Sequence, residues 1–467
     1  MEPCIGIVGA GIAGITAAKE LVDMGHKVHV FEAQSQIGGR IKAIKKGGQT
    51  IDMGAAFLWG DQLDYTQANE QNPLSALIKH LSTGCLEAVD FLENSPIYDS
   101  KGANIQPELM AHLKSSAFQS RMKEFIKIHQ KIFVTKKTEQ PNTDYPLPCL
   151  SDLLALLFPP PLSQIDARFE QIIKISFLHK HGAGPQSVSL WNLFLENSYP
   201  GNDYLAAGAF STLLDSMLKS IESRPNFKLS TNTVISAVEK NTHKKSVLLR
   251  TANGKEFSVD RVLITVPLGV LKKNTLSFYP ALSTEKQTAI SALRMGKCNK
   301  IMLRFEKAFW PEDAQSLLIF NSKNQLCEYL NVDYFSTTKT ATLVVTLYGI
   351  AADFGDKSDE EIIEKVLAPL QRIYPHSTPL IDFFITRWES SPYTQGAFAY
   401  LGSKATPKNL RDMATPEWER LLFLAGEHTD ELYYGSVHGA YLSGLRSSQS
   451  IDNSLHLPDK LRKRSSV

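Results

Sequence analysis

The sequence predicts an α/β fold with a parallel sheet near its N-terminus and a second sheet built from later strands. Three observations predict it. An apolar β-branched run, a glycine-rich turn, a helix and a second strand follow one another within the first 32 residues. A second apolar run breaks at Gly426 and leads into a helix rich in small residues. Between these ends, helical spacing gives way from Lys228 onward to a series of strand-like runs.

Cys4-Ile5-Gly6-Ile7-Val8 has the composition of a strand buried on both faces of a parallel sheet. Gly9-Ala10-Gly11-Ile12-Ala13-Gly14 follows at once, then a helix over Ile15 to Met24 with Gly25 at its C-terminal cap. Lys27 to Glu32 is a second strand ending in an acid. In this order the glycines have separate uses. Gly9 makes the tight turn, Gly11 lets the backbone approach a pyrophosphate, and Gly14 lets helix and strand pack closely. The helix N-terminus offers free N–H groups to phosphates. Glu32, 18 residues beyond Gly14, is placed to accept from ribose hydroxyls. NAD and FAD both use such a unit. The next glycines, in Gln36-Ile37-Gly38-Gly39-Arg40-Ile41, suit a longer cofactor running past the second strand, or an ordinary turn with a surface arginine.

Residues 61–204 read as mostly helical, with Pro107 to Phe133 and Ile165 to Lys180 carrying apolar residues at helical spacing. Loops are expected at Thr135 to Pro148 and at Phe158-Pro159-Pro160-Pro161. A glycine turn at Gly208 precedes a helix over Ser211 to Ile221. Strands are expected at Lys228 to Glu239, Lys245 to Thr251 and Phe257 to Val266. A second sheet is expected from Asn299 to Phe305, Ser316 to Phe320, Thr342 to Tyr348, Ile381 to Trp388 and Ala397 to Leu401. Leu421 to Ala425 is a buried strand, and Gly435 to Ala440 opens the last helix. A helix N-terminus against a flat ligand would stabilise negative charge on it.

Composition narrows the function. The chain has 467 residues, 50 Lys+Arg against 48 Asp+Glu, and 43% hydrophobic residues. A net charge of +2 gives no bulk electrostatic reason to bind nucleic acid or a membrane surface. No apolar run is long enough to span a bilayer. The five cysteines are far apart, with no metal-ligand spacing, so reduced thiols, no metal site and a cytoplasmic location are expected. The basic C-terminal run from Lys460 reads as a solvated tail.

Gly38-Gly39-Arg40, Ile51-Asp52-Met53-Gly54-Ala55 and Trp59-Gly60 resemble the flavin-containing amine oxidases, a family with monoamine oxidases, polyamine oxidases and lysine-specific histone demethylases. Thr265-Val266-Pro267-Leu268-Gly269-Val270-Leu271 and Gly426-Glu427-His428-Thr429 continue the resemblance, closest to the polyamine oxidase and demethylase branch. It implies a Rossmann-like FAD-binding domain over 1–80, 205–275 and 395–467. It also implies an α+β substrate-binding domain, with a mixed sheet and a helical part, over 81–204 and 276–394. It carries FAD contacts to Gly9, Gly11, Ile12, Ala13, Gly14, Glu32, Ala33, Gly38, Gly39, Arg40, Met53, Gly54, Ala55 and Ala56. Further contacts are implied at Ile235, Pro267, Trp388, Gly426, Glu427, Ser436, Val437 and Ala440. Lys300 matches the family lysine that holds a water at the flavin, and is implied as the catalytic residue.

Trp59, Trp388, Phe398, Tyr434 and Ser436 are implied around the substrate. Three departures qualify the match. Ala397 lies near the position where monoamine oxidases carry the cysteine bonded to FAD, so the cofactor is expected to be non-covalent. Ser436 replaces an aromatic wall, for which Tyr433 or Tyr434 could substitute. Trp59 stands where several polyamine oxidases place a His or Glu. The tower insertion and N-terminal chromatin module of the demethylases are missing, so histone lysine is not the expected substrate.

The implied activity is oxidation of a small-molecule amine to an imine, with hydride passing to flavin N5 and O2 reduced to H2O2. A homodimer is compatible with it. The competing readings are an L-amino-acid oxidase, another flavin oxidase or desaturase of the same superfamily, and a non-catalytic FAD-binding scaffold.

Overall fold

The computed structural model describes residues 3–61, 71–79, 88–90, 92–123, 127, 149–160, 162–188, 199, 201–323 and 325–456. The expected loop at 135–148, the basic tail from 460, Cys85 and the end of the helix expected to reach Phe133 lie outside them. Among the described residues no helix is long and apolar enough to cross a membrane.

A five-stranded parallel sheet is assembled from distant parts of the chain. Its order is Leu422–Leu424, Arg261–Ile264, Cys4–Val8, Lys27–Phe31, Phe227–Ser230, and every neighbouring pair is parallel. Helix Ile12–Asp23 joins the two strands of the first crossover. It packs along the closing helix Val437–His456, where a Cβ on Gly444 would sit 2.6 Å from the Ala13 carbonyl oxygen. The small-residue pattern of the closing helix thus permits a close helix–helix approach. Ile5, Ile7, Ile15, Leu21, Val28, Val30, Phe210 and Ile451 form one core around this pair. Each such side chain contributes about 1.5–3 kcal/mol by burial.

A four-stranded sheet, Glu256–Val259, Ser246–Thr251, Ile235–Asn241 and Ser277–Tyr279, flanks the parallel one. Here two expected strands divide. Lys228 to Glu239 is two strands in two sheets, because Asn232 takes a left-handed φ of 51° and turns the chain. Phe257 to Val266 divides at Asp260, whose carboxylate accepts from Cys4 N–H at 2.7 Å. The helix expected from Pro107 is also broken: Gln106–Lys114 ends where Ser115 turns extended (ψ 141°).

The third sheet has the order Leu380–Ile385, Cys298–Phe305, Thr342–Tyr348, Leu326–Asn331, Ser316–Phe320, Ile97–Tyr98. It is antiparallel except at the last pair. Phe398–Tyr400, expected in this sheet, pairs instead with Arg294–Gly296. Hairpin Ala43–Lys46/Gln49–Asp52 joins the two halves of the molecule. Ile51, Met53 and Ala56 share a core with Met302, Leu330 and Val344 of the third sheet.

Candidate active site

One cavity of about 400 Å³ runs between the two halves, and the carboxyl ends of four parallel strands open into it. Val8-Gly9, Phe31-Glu32, Thr265 to Pro267 and Gly426 each follow or end a strand of the parallel sheet. Ligands of open α/β sheets bind at this edge, where successive crossovers part to opposite sides.

The first glycine turn is held from several directions. Gly9 has φ 110°, and its N–H donates to the Phe31 carbonyl at 2.8 Å. Gly38 N–H donates to the Ala10 carbonyl at 2.9 Å, which brings the second glycine turn against the first. Gly38 and Gly39 both have positive φ. The helix beginning at Ile12 has no side-chain cap at Gly11 and no acid in its first turn. Its N-terminal amides therefore suit an anion. A Cβ on Gly11 would meet no heavy atom closer than 3.9 Å, whereas on Gly14 it would lie 2.1 Å from the Gly9 carbonyl oxygen. Gly14 does not line the cavity: the Gly9 carbonyl and Thr265 fill that side, so its use is helix–strand packing. Buried Glu32 accepts from the Ala10 and Gln34 amides at 2.7 and 2.9 Å. A carboxylate keeps further lone pairs for a ligand hydroxyl.

Around the middle of the cavity lie Ala33, Arg40, Met53, Gly54, Ala55, Ala56, Ile235 and Pro267. Arg40 pairs with Glu427 at 2.5 Å and donates to the Ala397 carbonyl at 3.0 Å. Glu427 also accepts from Ala399 and Gly435 N–H. Burial alone would raise its carboxyl. The neighbouring Arg40 charge, the field of His428 and these hydrogen bonds hold it below the usual value. Ser436 is the N-cap of the closing helix: its Oγ accepts from Gly439 N–H at 3.0 Å and donates to the Tyr433 carbonyl at 2.6 Å. Ser436 also lines the cavity, with Val437 and Ala440.

The third sheet supplies the opposite wall through Cys298, Lys300 and Tyr348, with Trp388 just beyond its edge strand. Lys300 is only 7% exposed. Its ammonium donates to the Asp52 and Gly54 carbonyls at 3.0 and 2.8 Å. Two of three N–H donors are thereby used, leaving one for the cavity. Burial lowers the Lys300 pKa, against the opposing fields of Asp52, Cys298 and Glu328. The Asp52 carboxyl is pushed up to about 6 by burial, although it accepts from Gly208 N–H at 2.7 Å and faces the Lys300 charge. Burial pushes the Cys298 thiol up to about 12.

Trp59, Phe398, Tyr433 and Tyr434 line the remaining wall. Tyr433 stacks on Tyr199, with ring centroids 4.7 Å apart and planes 7° from parallel. His438 sits edge-on to both rings. Its Nδ1 accepts from Asn72 at 3.4 Å, and the same amide donates to the Trp59 carbonyl at 3.0 Å. Burial lowers His438 to about 4, so its ring is neutral at neutral pH.

Of the residues expected at the site, all but Gly14 border this cavity. Sequence reasoning missed Tyr199, Asn72, His438 and the backing of Lys300 by Asp52. Asp52 stood within a quoted motif, but it meets Lys300 through its backbone carbonyl, which leaves no signal in the residue type. Tyr199 stood in the stretch of the chain with the least pattern. The one group of metal-ligating side chains among the described residues, His26, Asp452 and His456, does not line the cavity.

Residues 12–452 match the sequence model of the flavin containing amine oxidoreductases. The probable polyamine oxidase 4 of Arabidopsis thaliana is 28% identical over 462 residues, 96% of this chain and 87% of that protein. Polyamine oxidase 3 of Oryza sativa subsp. japonica is 27% identical over 454 residues, 95% of this chain and 88% of its own. The lysine-specific histone demethylase 1 homolog 1 of Arabidopsis thaliana is 27% identical over 463 residues, covering 96% of this chain but 52% of that protein.

Proposed function

Because the chain belongs to the flavin containing amine oxidoreductase family, and is therefore a flavin-dependent oxidoreductase, we propose that its cofactor is non-covalent FAD and its substrate a small amine of the polyamine class. The observation that carries this reading is one cavity with glycine turns and uncapped helix amides at one end and a buried lysine among aromatic residues at the other. The chain division supports it: the parallel sheet draws on 4–31, 227–264 and 422–424, and the third sheet on 97–98 and 298–385. We take 1–80, 205–275 and 395–467 as the cofactor domain, and 81–204 and 276–394 as the substrate domain. Strand Ser277–Tyr279 lies past the 275 bound yet pairs with Ile235–Asn241, so the second cofactor segment is better ended after Tyr279.

The donors fit FAD without further groups. The helix from Ile12 and the paired glycine turns would hold the pyrophosphate, Glu32 a ribose, and Arg40 the region beside the phosphates. The N-terminus of the closing helix faces the far end of the cavity, where its dipole favours negative charge. When bound, the flavin accepts hydride from the carbon beside a neutral amine and passes its electrons to O2, giving H2O2. The protein orients that C–H bond and excludes water with Trp388, Phe398 and Tyr433. Lys300 offers its remaining N–H to a water and so fixes where a proton is held.

Ala397 itself offers no thiol for a flavin bond, and the described cysteines are Cys4, Cys149, Cys298 and Cys327. Cys298 does line the cavity, so the covalent question has a specific test. Purified holoprotein is denatured and centrifuged. FAD is expected in the supernatant; flavin retained on the polypeptide overturns non-covalent binding. Peroxide release is then measured with spermine, spermidine, N-acetylated spermine, a monoamine panel and L-amino acids. Turnover confined to amino acids, or none at all, overturns the amine assignment.

A further inference from the structure

Beneath the cavity floor lies a buried amide that sequence reasoning passed over. Asn299 is 1% exposed and adjoins Lys300 in strand Cys298–Phe305. Successive side chains of a strand alternate faces, so Asn299 points away from the face that Lys300 presents to the cavity. Asn299 does not line the cavity.

All of its hydrogen-bonding capacity is nevertheless used. Nδ2 donates to the Ala352 carbonyl at 2.9 Å and to Glu389 Oε2 at 2.7 Å. Oδ1 accepts from Thr386 Oγ1 at 3.1 Å and from Trp388 N–H at 3.0 Å. Thr386 Oγ1 in turn accepts from Lys300 N–H at 2.7 Å. These contacts fall where the ladder stops. Strand pairing between Leu380–Ile385 and Cys298–Phe305 ends at Ile385 opposite Ile301, after which only Thr386 N–H reaches the Lys300 carbonyl. From there the Trp388 N–H is held by the Asn299 side chain instead of by the ladder, and the Glu389 carboxylate meets both the Asn299 amide and the Cys298 backbone N–H. The Trp388 carbonyl is held from the other side by Thr394 Oγ1 at 2.7 Å and Gly396 N–H at 3.0 Å.

We propose that Asn299 is a positioning residue for the oxidation: it fixes the Trp388 turn against the Lys300 strand, so that indole and ammonium border the same stretch of cavity. The inference rests on the amine-oxidase reading for its kinetic consequence, but not for its structural one. A carboxamide is required because it donates to Glu389 and accepts from Trp388 at once. Asn299→Asp is nearly isosteric, keeps the acceptors and loses both donors, and it sets a carboxylate against Glu389. Asn299→Asp with Glu389→Gln reverses the polarity of that one bond, since the carboxamide introduced at position 389 can donate to the carboxylate introduced at position 299.

Two measurements test it. The first needs neither FAD nor substrate: amide hydrogen exchange at Trp388 in apoprotein. Exchange is expected to quicken at least tenfold in Asn299→Asp and to slow again in the double variant. The second is anaerobic flavin reduction in holoprotein with whichever amine of the panel turns over fastest. Asn299→Asp is expected to slow it ~100-fold, the scale of an ångström-sized misplacement, with bound FAD retained. The double variant is expected to recover at least tenfold. A purely structural asparagine predicts a loss of thermal stability with no recovery of rate in the double variant, and that outcome overturns the proposal. So does a single variant whose exchange and rate both match wild type. If wild type reduces with no amine, the amine reading fails, and unchanged Trp388 exchange in Asn299→Asp then overturns the positioning role independently.

Discussion

The two ends of the cavity are built on different principles. At the glycine-turn end the cavity-facing groups are mostly backbone: glycines at positive φ, uncapped helix amides, and one carboxylate anchored by two amides. At the other end they are side chains: a buried lysine tied to two carbonyls, stacked tyrosines, a neutral histidine and a tryptophan held by a remote asparagine. A backbone site depends on residues that are missing a side chain, so its sensitivity lies in adding atoms. A side-chain site depends on charges and rings kept in place by neighbours distant in sequence, so its sensitivity lies in removing them.

The sharpest way to break this contrast is to add one carbon at two glycines of a single turn. Gly14→Ala forces a Cβ to 2.1 Å from the Gly9 carbonyl oxygen, backbone that cannot yield cheaply. Loss of soluble folded protein is expected. Gly11→Ala meets nothing within 3.9 Å in the protein itself. Its apoprotein is expected to melt within a few degrees of wild type while FAD affinity falls at least tenfold, because the added methyl occupies ligand space. Thermal melts of apoprotein and FAD titration measure the two effects. Equal FAD affinity in Gly11→Ala would remove the pyrophosphate from this turn.

The same contrast explains what the sequence made legible. The glycine turns, Glu32 and the Gly426-Glu427 turn are local, with fixed spacing and one steric reason per glycine, and the cavity gathers them. Strand Cys298–Phe305 was legible by its apolar run, and Lys300 by standing charged within it. The partners of Lys300 were not, since Asp52 and Gly54 are about 250 positions away and act through carbonyls that every residue possesses. Nor was the Tyr199–Tyr433 stack, which joins positions 234 residues apart. Strand limits failed where a single residue turned the chain, at Asn232 and Asp260, inside runs that were otherwise apolar.

Removal at the side-chain end is expected to cost rate and leave binding. Lys300→Met deletes the ammonium and keeps the apolar stem. Flavin reduction or reoxidation is expected to slow ~10–1000-fold, the range of positioned acid–base groups. Stopped-flow absorbance separates the two half-reactions, first with amine under anaerobic conditions and then with oxygen. Both rates within twofold of wild type would return Lys300 to a structural role. The Asp52 and Gly54 carbonyls lose their donor, at ~1–3 kcal/mol, so FAD content and melting temperature are measured on the same samples.

A smaller effect is expected at the acid that closes the second strand. Glu32→Ala leaves the Ala10 and Gln34 amides without their acceptor and removes the acceptor proposed for the FAD ribose. FAD binding is expected to weaken by ~1–3 kcal/mol. Glu32→Gln, which still accepts, is expected to fall between the two, and identical FAD titrations for all three proteins would place the ribose elsewhere.

The smallest effect distinguishes two descriptions of the charge beneath Lys300. The Asp52 carboxyl is raised from 3.8 to about 6 by burial, so the folded protein prefers it protonated. Its contribution to stability is fully present below the unfolded value of 3.8 and is lost as pH rises through about 6. At about 1.4 kcal/mol per pKa unit, the loss is on the order of 1–3 kcal/mol. Asp52→Asn keeps an oxygen for Gly208 N–H and removes the titration. Melting curves of both proteins from pH 4 to pH 7.5 are expected to diverge, with the variant gaining on wild type through the window around pH 6. Parallel curves would mean that Asp52 stays ionised throughout, held as the counter-charge of Lys300. In that case the Lys300 ammonium in Asp52→Asn loses an opposing charge, and its pKa falls further below that of an ordinary lysine.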